Sequence, residues 1–181
     1  MLNLIGFMGK AGSGKDTAAD ILVREFGFTK ESLAAPMKRG LAAMLDLPEE
    51  AMNNRIDREK PYLHYEVSIR RMLQTLGTDW GRNMVHEDIW VDNLMRRHSR
   101  NRNTVVSDVR FENEAKRIKK AGGIVVALIR PENREIVPQH SSENMPMHLA
   151  NFVITNGGDL DSFEAEIRAF AKTMLEAGDG A

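Results

Sequence analysis

The residues with the clearest chemistry lie near the start of the chain, in the stretch Gly9-Lys10-Ala11-Gly12-Ser13-Gly14-Lys15-Asp16-Thr17. It follows the apolar run 4–8 and opens an amphipathic segment. Glycines at 9, 12 and 14 allow successive backbone N–H groups to turn toward a polyphosphate, and a helix starting near Lys15 adds its positive end. Lys15 supplies a mobile cation for the β and γ phosphates, and Thr17 is one helical step from the α-phosphate. Gly12, Ser13, Gly14, Lys15, Asp16 and Thr17 are therefore the expected triphosphate-binding residues. The spacing fits G-x-x-x-x-G-K-[ST] except that Asp16 replaces the hydroxyl residue. A carboxylate beside a triphosphate is repulsive unless a cation intervenes, so Asp16 is a candidate Mg²⁺ ligand. The alternative is that Asp16 only favours the helix N-terminus through the dipole.

A phosphate loop says only that nucleotide phosphates bind; the arginines say more. Transfer between two phosphorylated ligands gathers many negative charges and needs cations converging from separate segments. Arg70 or Arg71, Arg110, Arg130 and Arg134 come from three such segments, although each alone also reads as a surface residue. A phosphate acceptor is already ionised and needs no strong general base, so catalysis reduces to in-line positioning, charge neutralisation and exclusion of water. The five histidines, at 64, 86, 98, 140 and 148, lack metal-ligand spacing and read as structural.

The elements that must position these residues alternate strand and helix. Strands are expected over 4–8, 104–107, 124–129 and 152–155, with a weaker one over 28–33. Helices are expected over 17–26, 36–45, 68–76, 88–95, 112–121 and from Leu160 onward. Gly77 is expected to end the third helix and 77–82 to form a turn. Residues 48–66 read as a polar surface excursion, and the basic run 96–102 as a solvated helix end. In open parallel sheets ligands sit at the strands' carboxyl ends, which places Asp108 and Arg110 for chemistry. Residues 131–147, with three prolines, Arg134, His140 and Glu143, suit a substrate-covering lid. The pattern implies an α/β protein, a parallel sheet covered on both faces by right-handed crossovers.

Five separated stretches together resemble the bacteriophage deoxynucleoside monophosphate kinase family. They are Gly14-Lys15-Asp16-Thr17, Ala35-Pro36-Met37-Lys38, the run from Arg71 to Arg82 containing Trp80, the run from Asp108 to Glu114 containing Arg110, and His140-Ser141-Ser142-Glu143. The resemblance spans residues 4 to about 170, and an Asp after the loop lysine is expected in that family. It implies a three-layer α/β/α P-loop NTPase fold with a five-stranded parallel sheet. The expected partition of this single domain is a core of about 1–34, 103–130 and 148–181, a helical monophosphate-binding insertion of about 35–102, and a lid of about 131–147. The implied reaction moves the γ-phosphoryl of ATP to a deoxynucleoside 5′-monophosphate with Mg²⁺. Lys38, Arg71, Asp108 and Arg110 would hold the acceptor, while Trp80 is either a wall for its base or a core residue. Arg130 and Arg134 would be lid residues that neutralise the transferred group, and Asn156 and Gly157 fall where such kinases hold adenine.

Two other readings use the same residues: a small-metabolite kinase of the phosphomevalonate or dephospho-coenzyme A type, and a nucleotide-hydrolysing switch. The switch lacks a guanine-reading N-K-x-D pattern. With 25 Lys and Arg against 26 Asp and Glu, the net charge of -1 gives no reason to expect a nucleic-acid polymer as partner. Absence of cysteine excludes disulfides and fits a reducing cytoplasm, the host's if the gene is phage-borne. No signal peptide or membrane-spanning run is read, and the oligomeric state stays open, a homodimer included.

Overall fold

The computed structural model describes residues 3–54, 59–99, 102–131 and 145–179. The chain divides into two compact units, Met1–Ser32 with Leu94–Ala181, and Leu33–Asn93.

The first unit is built on β1 (Leu4–Met8), every residue of which is buried. A strand apolar on both faces belongs at the centre of a parallel sheet, and β1 lies in the middle of the order β2-β3-β1-β4-β5. Its partners are β3 (Thr104–Val109) and β4 (Ile124–Ile129), with β2 (Thr29–Glu31) and β5 (Phe152–Thr155) at the edges, all pairings parallel. The alternation of side chains along β1 separates two layers. Ile5 and Phe7 join Ala18, Ile21 and Leu22 of α1 (Lys15–Phe26) and Phe163, Ile167 and Ala171 of α6 (Leu160–Asp179) in one core. Gly6 faces the other way, close against Ile118 of α5 (Glu112–Lys120). Full burial of side chains such as Phe7, Leu22 and Ile167 contributes about 1.5–3 kcal/mol each. This is the expected α/β/α arrangement with five parallel strands.

Two local features place the site. The helix α1 ends at Gly27, whose N–H bonds the Leu22 carbonyl, returning the chain into β2. Register between β1 and β3 slips between Gly6 and Met8, so β3 carries one extra residue near its carboxyl end. Such bulges re-aim side chains, and Ser107 and Asp108 lie there. β3 also runs on to Val109, beyond the expected end at 107.

The second unit holds α2 (Ala35–Met44), a short 3₁₀ turn Glu49–Met52 and α3 (Ile69–Gln74) around Leu41, Ala42, Met52 and Ile69. Ser68 caps α3 as expected, its hydroxyl accepting from the Arg71 N–H at 3.2 Å. The expected stop at Gly77 does not occur: the helix continues as a π-helical segment, Thr75–Val85. Close packing within this unit explains two of its glycines, Gly77 and Gly81. A Cβ on Gly77 would lie 2.8 Å from the Met37 sulfur, and one on Gly81 would strike the Trp90 indole. Trp90, in α4 (Ile89–Arg97), also donates from Nε1 to the Gly77 carbonyl at 2.8 Å. A π turn leaves carbonyls available for such insertions.

The helices α1 and α6 are joined by Glu25, which accepts from Arg168 at 2.7 and 3.0 Å and from Arg24 at 2.6 Å. Those guanidinium bonds, Arg168 first and then Arg24, hold the Glu25 carboxyl down to about 2 from an ordinary 4.5. Because the folded value is depressed, its stabilisation is present above about 4.5 and lost as pH falls toward 2. The urea-midpoint difference between wild type and Glu25→Gln should therefore be constant from pH 7 to about 5 and shrink steadily below that.

Candidate active site

The loop between β1 and α1 is set by its own backbone. Gly14 is the N-cap of α1 with φ 99°, a left-handed conformation that glycine adopts without strain. The Lys15 ammonium donates to the Gly9 carbonyl at 2.6 Å and the Lys10 carbonyl at 2.7 Å, with the Ser13 hydroxyl at 3.4 Å. Ser13 is buried, Gly12 is exposed, and Thr17 is half-buried in the first turn of α1. From the far side of the sheet unit, the Asn156 side-chain amide donates to the Ser13 carbonyl at 3.2 Å. Gly157 follows it and is exposed.

Asp16 has partners that the sequence did not announce. Lys30, the middle residue of β2, lies 3.1 Å from Asp16 and 2.9 Å from Asp20. Partial desolvation would raise the Asp16 pKa, but bonds from Lys30 and the Ser107 hydroxyl, with the Lys15 charge, hold it below the usual 3.8. For Lys30 the same balance runs the other way: desolvation lowers its pKa, and the two aspartates raise it overall. Asp16 is thus a firmly ionised, exposed oxygen donor beside the loop. The neighbouring Asp108 is half-buried and accepts from the Ser32 hydroxyl at 2.6 Å. Arg110 is exposed, and its N–H, like that of Phe111, is bound by the buried Glu114 carboxylate at 2.7 and 2.9 Å. Glu114 thereby fixes the backbone that carries Arg110 and starts α5.

The remaining expected residues fall elsewhere. Lys38, Arg71 and Trp80 belong to the second unit, where Lys38 donates to Asn53 at 2.7 Å and Arg71 is exposed on α3. Trp80 is 44% exposed with its ring centroid 6.3 Å from that of Trp90, so it is not a core residue. Arg70 pairs with Glu59 at 2.8 Å. Arg130 is exposed just beyond β4. Arg134, His140 and Glu143 lie outside the described residues. In the basic run, Arg97 bonds Glu31 and the Ser32 carbonyl, and Arg102 lies 3.3 Å from Glu31. Lys30, Ser107 and Glu114 were not among the expected site residues. Nothing in a three-residue edge strand marks Lys30.

No group of three or more His, Cys, Asp and Glu is gathered for a metal among the described residues. Mg²⁺ does not require one, because one or two carboxylates with substrate phosphates and water suffice. The ionised Asp16 carboxylate beside the Ser107 hydroxyl is a hard-oxygen donor set that fits it.

A phosphate loop at the carboxyl end of a central parallel strand, with a lysine opening the next helix, defines a P-loop phosphotransferase. Solved structures share this fold. Shikimate kinase from Acinetobacter baumannii matches 98% of this chain and 95% of its own, with TM-score 0.58 at 14% identity. Dephospho-CoA kinase from Campylobacter jejuni matches 99% of both chains with TM-score 0.55 at 17% identity. In sequence, residues 43–167 match the deoxynucleotide monophosphate kinase family. A chain of Acanthamoeba polyphaga mimivirus that carries the same kinase name provisionally is 35% identical over 144 residues, 71% of this chain and 74% of its own. The deoxynucleoside-5′-monophosphate kinase of Escherichia phage T5 is 24% identical, covering 96% of this chain and 97% of its own. The chain belongs to the deoxynucleotide monophosphate kinase family.

The pairing of Asp16 yields a direct test. In Lys30→Met the Asp16 carboxyl should titrate at higher pH than in wild type, followed by its ¹³C shift. An unmoved titration would mean that Ser107 and Lys15 alone hold the carboxylate ionised.

Proposed function

We propose that the protein transfers the γ-phosphoryl group of ATP to a deoxynucleoside 5′-monophosphate, releasing ADP and the deoxynucleoside diphosphate. The observation that carries this is the family match over residues 43–167, a span containing Arg71, Trp80, Asp108 and Arg110. The donor phosphates bind the loop 9–17, with Lys15 moving from the Gly9 and Lys10 carbonyls to the β and γ oxygens. Gly157, beyond β5, borders the adenine. The family likeness supports Lys38, Arg71, Asp108 and Arg110 as the acceptor residues and the partly exposed Trp80 as the one for its base.

In the transfer an acceptor phosphate oxygen attacks the γ-phosphorus in line, that P–O bond forms, and the bond to the β-bridging oxygen breaks with ADP as leaving group. The acceptor is already an anion, so no proton need be removed. What the chain must supply is cationic stabilisation of the equatorial oxygens, from Lys15, Arg110, Arg130 and Arg134. Asp16 would hold a Mg²⁺, which would supply charge neutralisation for the donor phosphates. With Lys30 already on Asp16, the carboxylate is held ionised and fixed in place before any substrate arrives. The lid expected over 131–147, which would exclude water, lies mostly outside the described residues.

The pairing of Arg97 and Arg102 with Glu31 argues against a nucleic-acid surface in 96–102. No described helix is long and apolar enough to cross a membrane. The relatives in phage T4 and phage T5 favour action on nucleotide pools in the host cytoplasm.

A coupled ADP-release assay over deoxynucleotides, ribonucleotides, dephospho-coenzyme A, phosphomevalonate and shikimate tests the reaction. Turnover of at least one dNMP above all metabolites is expected; turnover confined to a metabolite refutes the proposal. Lys15→Ala should lower kcat by a factor on the order of 10² or more with the fold intact. Arg71→Ala should raise KM for the dNMP about tenfold, the equivalent of one charge-assisted hydrogen bond, and leave KM for ATP nearly unchanged. Equal rises in both would remove Arg71 from the acceptor site.

A further inference from the structure

We propose that Asn156 is a positioning residue of the phosphate loop, acting through the loop backbone and not through the donor's base. The proposal rests on the reading of 9–17 as a triphosphate site. An anion-binding loop works only if its N–H groups face the anion, and its carbonyls must then find partners on the protein side. Lys15 takes the carbonyls of Gly9 and Lys10. The Ser13 carbonyl is taken by the Asn156 amide in a bond whose two partners are buried and 143 residues apart.

The direction of that bond matters. The Ser13–Gly14 peptide is trans, as all described peptides are. In a trans peptide the C=O and the following N–H point in opposite directions. By holding the Ser13 carbonyl toward itself, Asn156 turns the Gly14 N–H away, out of the protein and toward the loop's anion side. The contact is tight on its other side too: a Cβ on Gly14 would lie 2.8 Å from the Asn156 nitrogen and 2.8 Å from the Phe163 ring. The amide and the ring therefore form a wall against the Gly14 peptide. Asn156 is itself anchored, its backbone N–H donating to the Ile129 carbonyl at 2.7 Å at the end of β4. The side chain expected beside adenine is thus turned to the loop, and its contribution should be blind to the base.

Isothermal titration with inorganic tripolyphosphate, which has no base, separates the two roles. Asn156→Ala removes the donor, and Asn156→Asp keeps the shape while setting a carboxylate against the Ser13 carbonyl. The expected result is that both variants weaken tripolyphosphate and ATP by the same factor, about fivefold or more, with Asp the worse, while dNMP affinity and the ATP-to-GTP preference are unchanged. Loss of ATP affinity with tripolyphosphate affinity intact would overturn the proposal in favour of a base contact. Unchanged binding of both ligands would overturn it outright. Failure of wild type to bind tripolyphosphate at all would instead overturn the triphosphate reading of the loop. If Asn156→Asp does not fold, Asn156→Ala and the amide shift of Gly14 in each folded protein decide the question: the clamp requires that shift to move.

Discussion

The structure depends on where the polar groups of one short backbone segment go. A loop that presents N–H groups to an anion has to satisfy its carbonyls inside the protein, and buried unpaired carbonyls cost about as much as a lost hydrogen bond. Here Lys15 and Asn156 divide that task, one from the helix that the loop opens and one from the far end of the sheet. The parallel order β2-β3-β1-β4-β5 makes this arrangement available. It brings the carboxyl ends of β1, β3, β4 and β5 to one edge, so residues 13, 107, 130 and 156 all belong to that edge despite their separation in sequence.

Electrostatics at that edge follow a second rule: the carboxylates of Asp16, Asp108 and Glu114 each have a hydrogen-bond donor. Asp16 has Lys30 and the Ser107 hydroxyl, Asp108 has the Ser32 hydroxyl, and Glu114 binds backbone N–H groups. An unmatched carboxylate would repel a triphosphate at several ångströms, where the interaction is still worth about 1–4 kcal/mol per charge pair depending on the local dielectric. For Asp16 the Lys30 cation offsets most of that repulsion, whereas the neutral donors on Asp108 and Glu114 orient those carboxylates without cancelling their charge. The overall charge of -1 is therefore uninformative about the site, because the relevant field is local.

Much of the sheet was legible in the sequence because its strands are short apolar runs bounded by turn residues. β1 and β4 are the plainest, being buried along nearly their whole length. The loop was legible because its chemistry demands fixed glycine and lysine positions. What failed to show was anything decided by side chains meeting across distance. Gly77 looks like a helix stop because glycine commonly ends helices, yet it sits inside a continuing helix where a Cβ would lie 2.8 Å from the Met37 sulfur. Lys30 looks like any lysine on an edge strand. The role of Asn156 is concealed for a related reason: its position after β5 follows from the topology, but whether its amide turns to the base or the loop depends on a contact with Ser13, which no spacing encodes.

The Lys15 ammonium links these points. In the described structure it holds the loop's own carbonyls, so on the proposed reading a bound triphosphate would exchange two short hydrogen bonds to Gly9 and Lys10 for bonds to phosphate oxygens. A charge-assisted bond contributes about 1.5–3 kcal/mol, and a phosphate anion is the stronger acceptor, so the exchange is favourable only if the loop keeps its shape after the lysine departs. Something other than Lys15 must then hold the loop open. Of the described contacts, the Asn156 bond to Ser13 is one that does not involve the lysine, and so it can persist through the exchange.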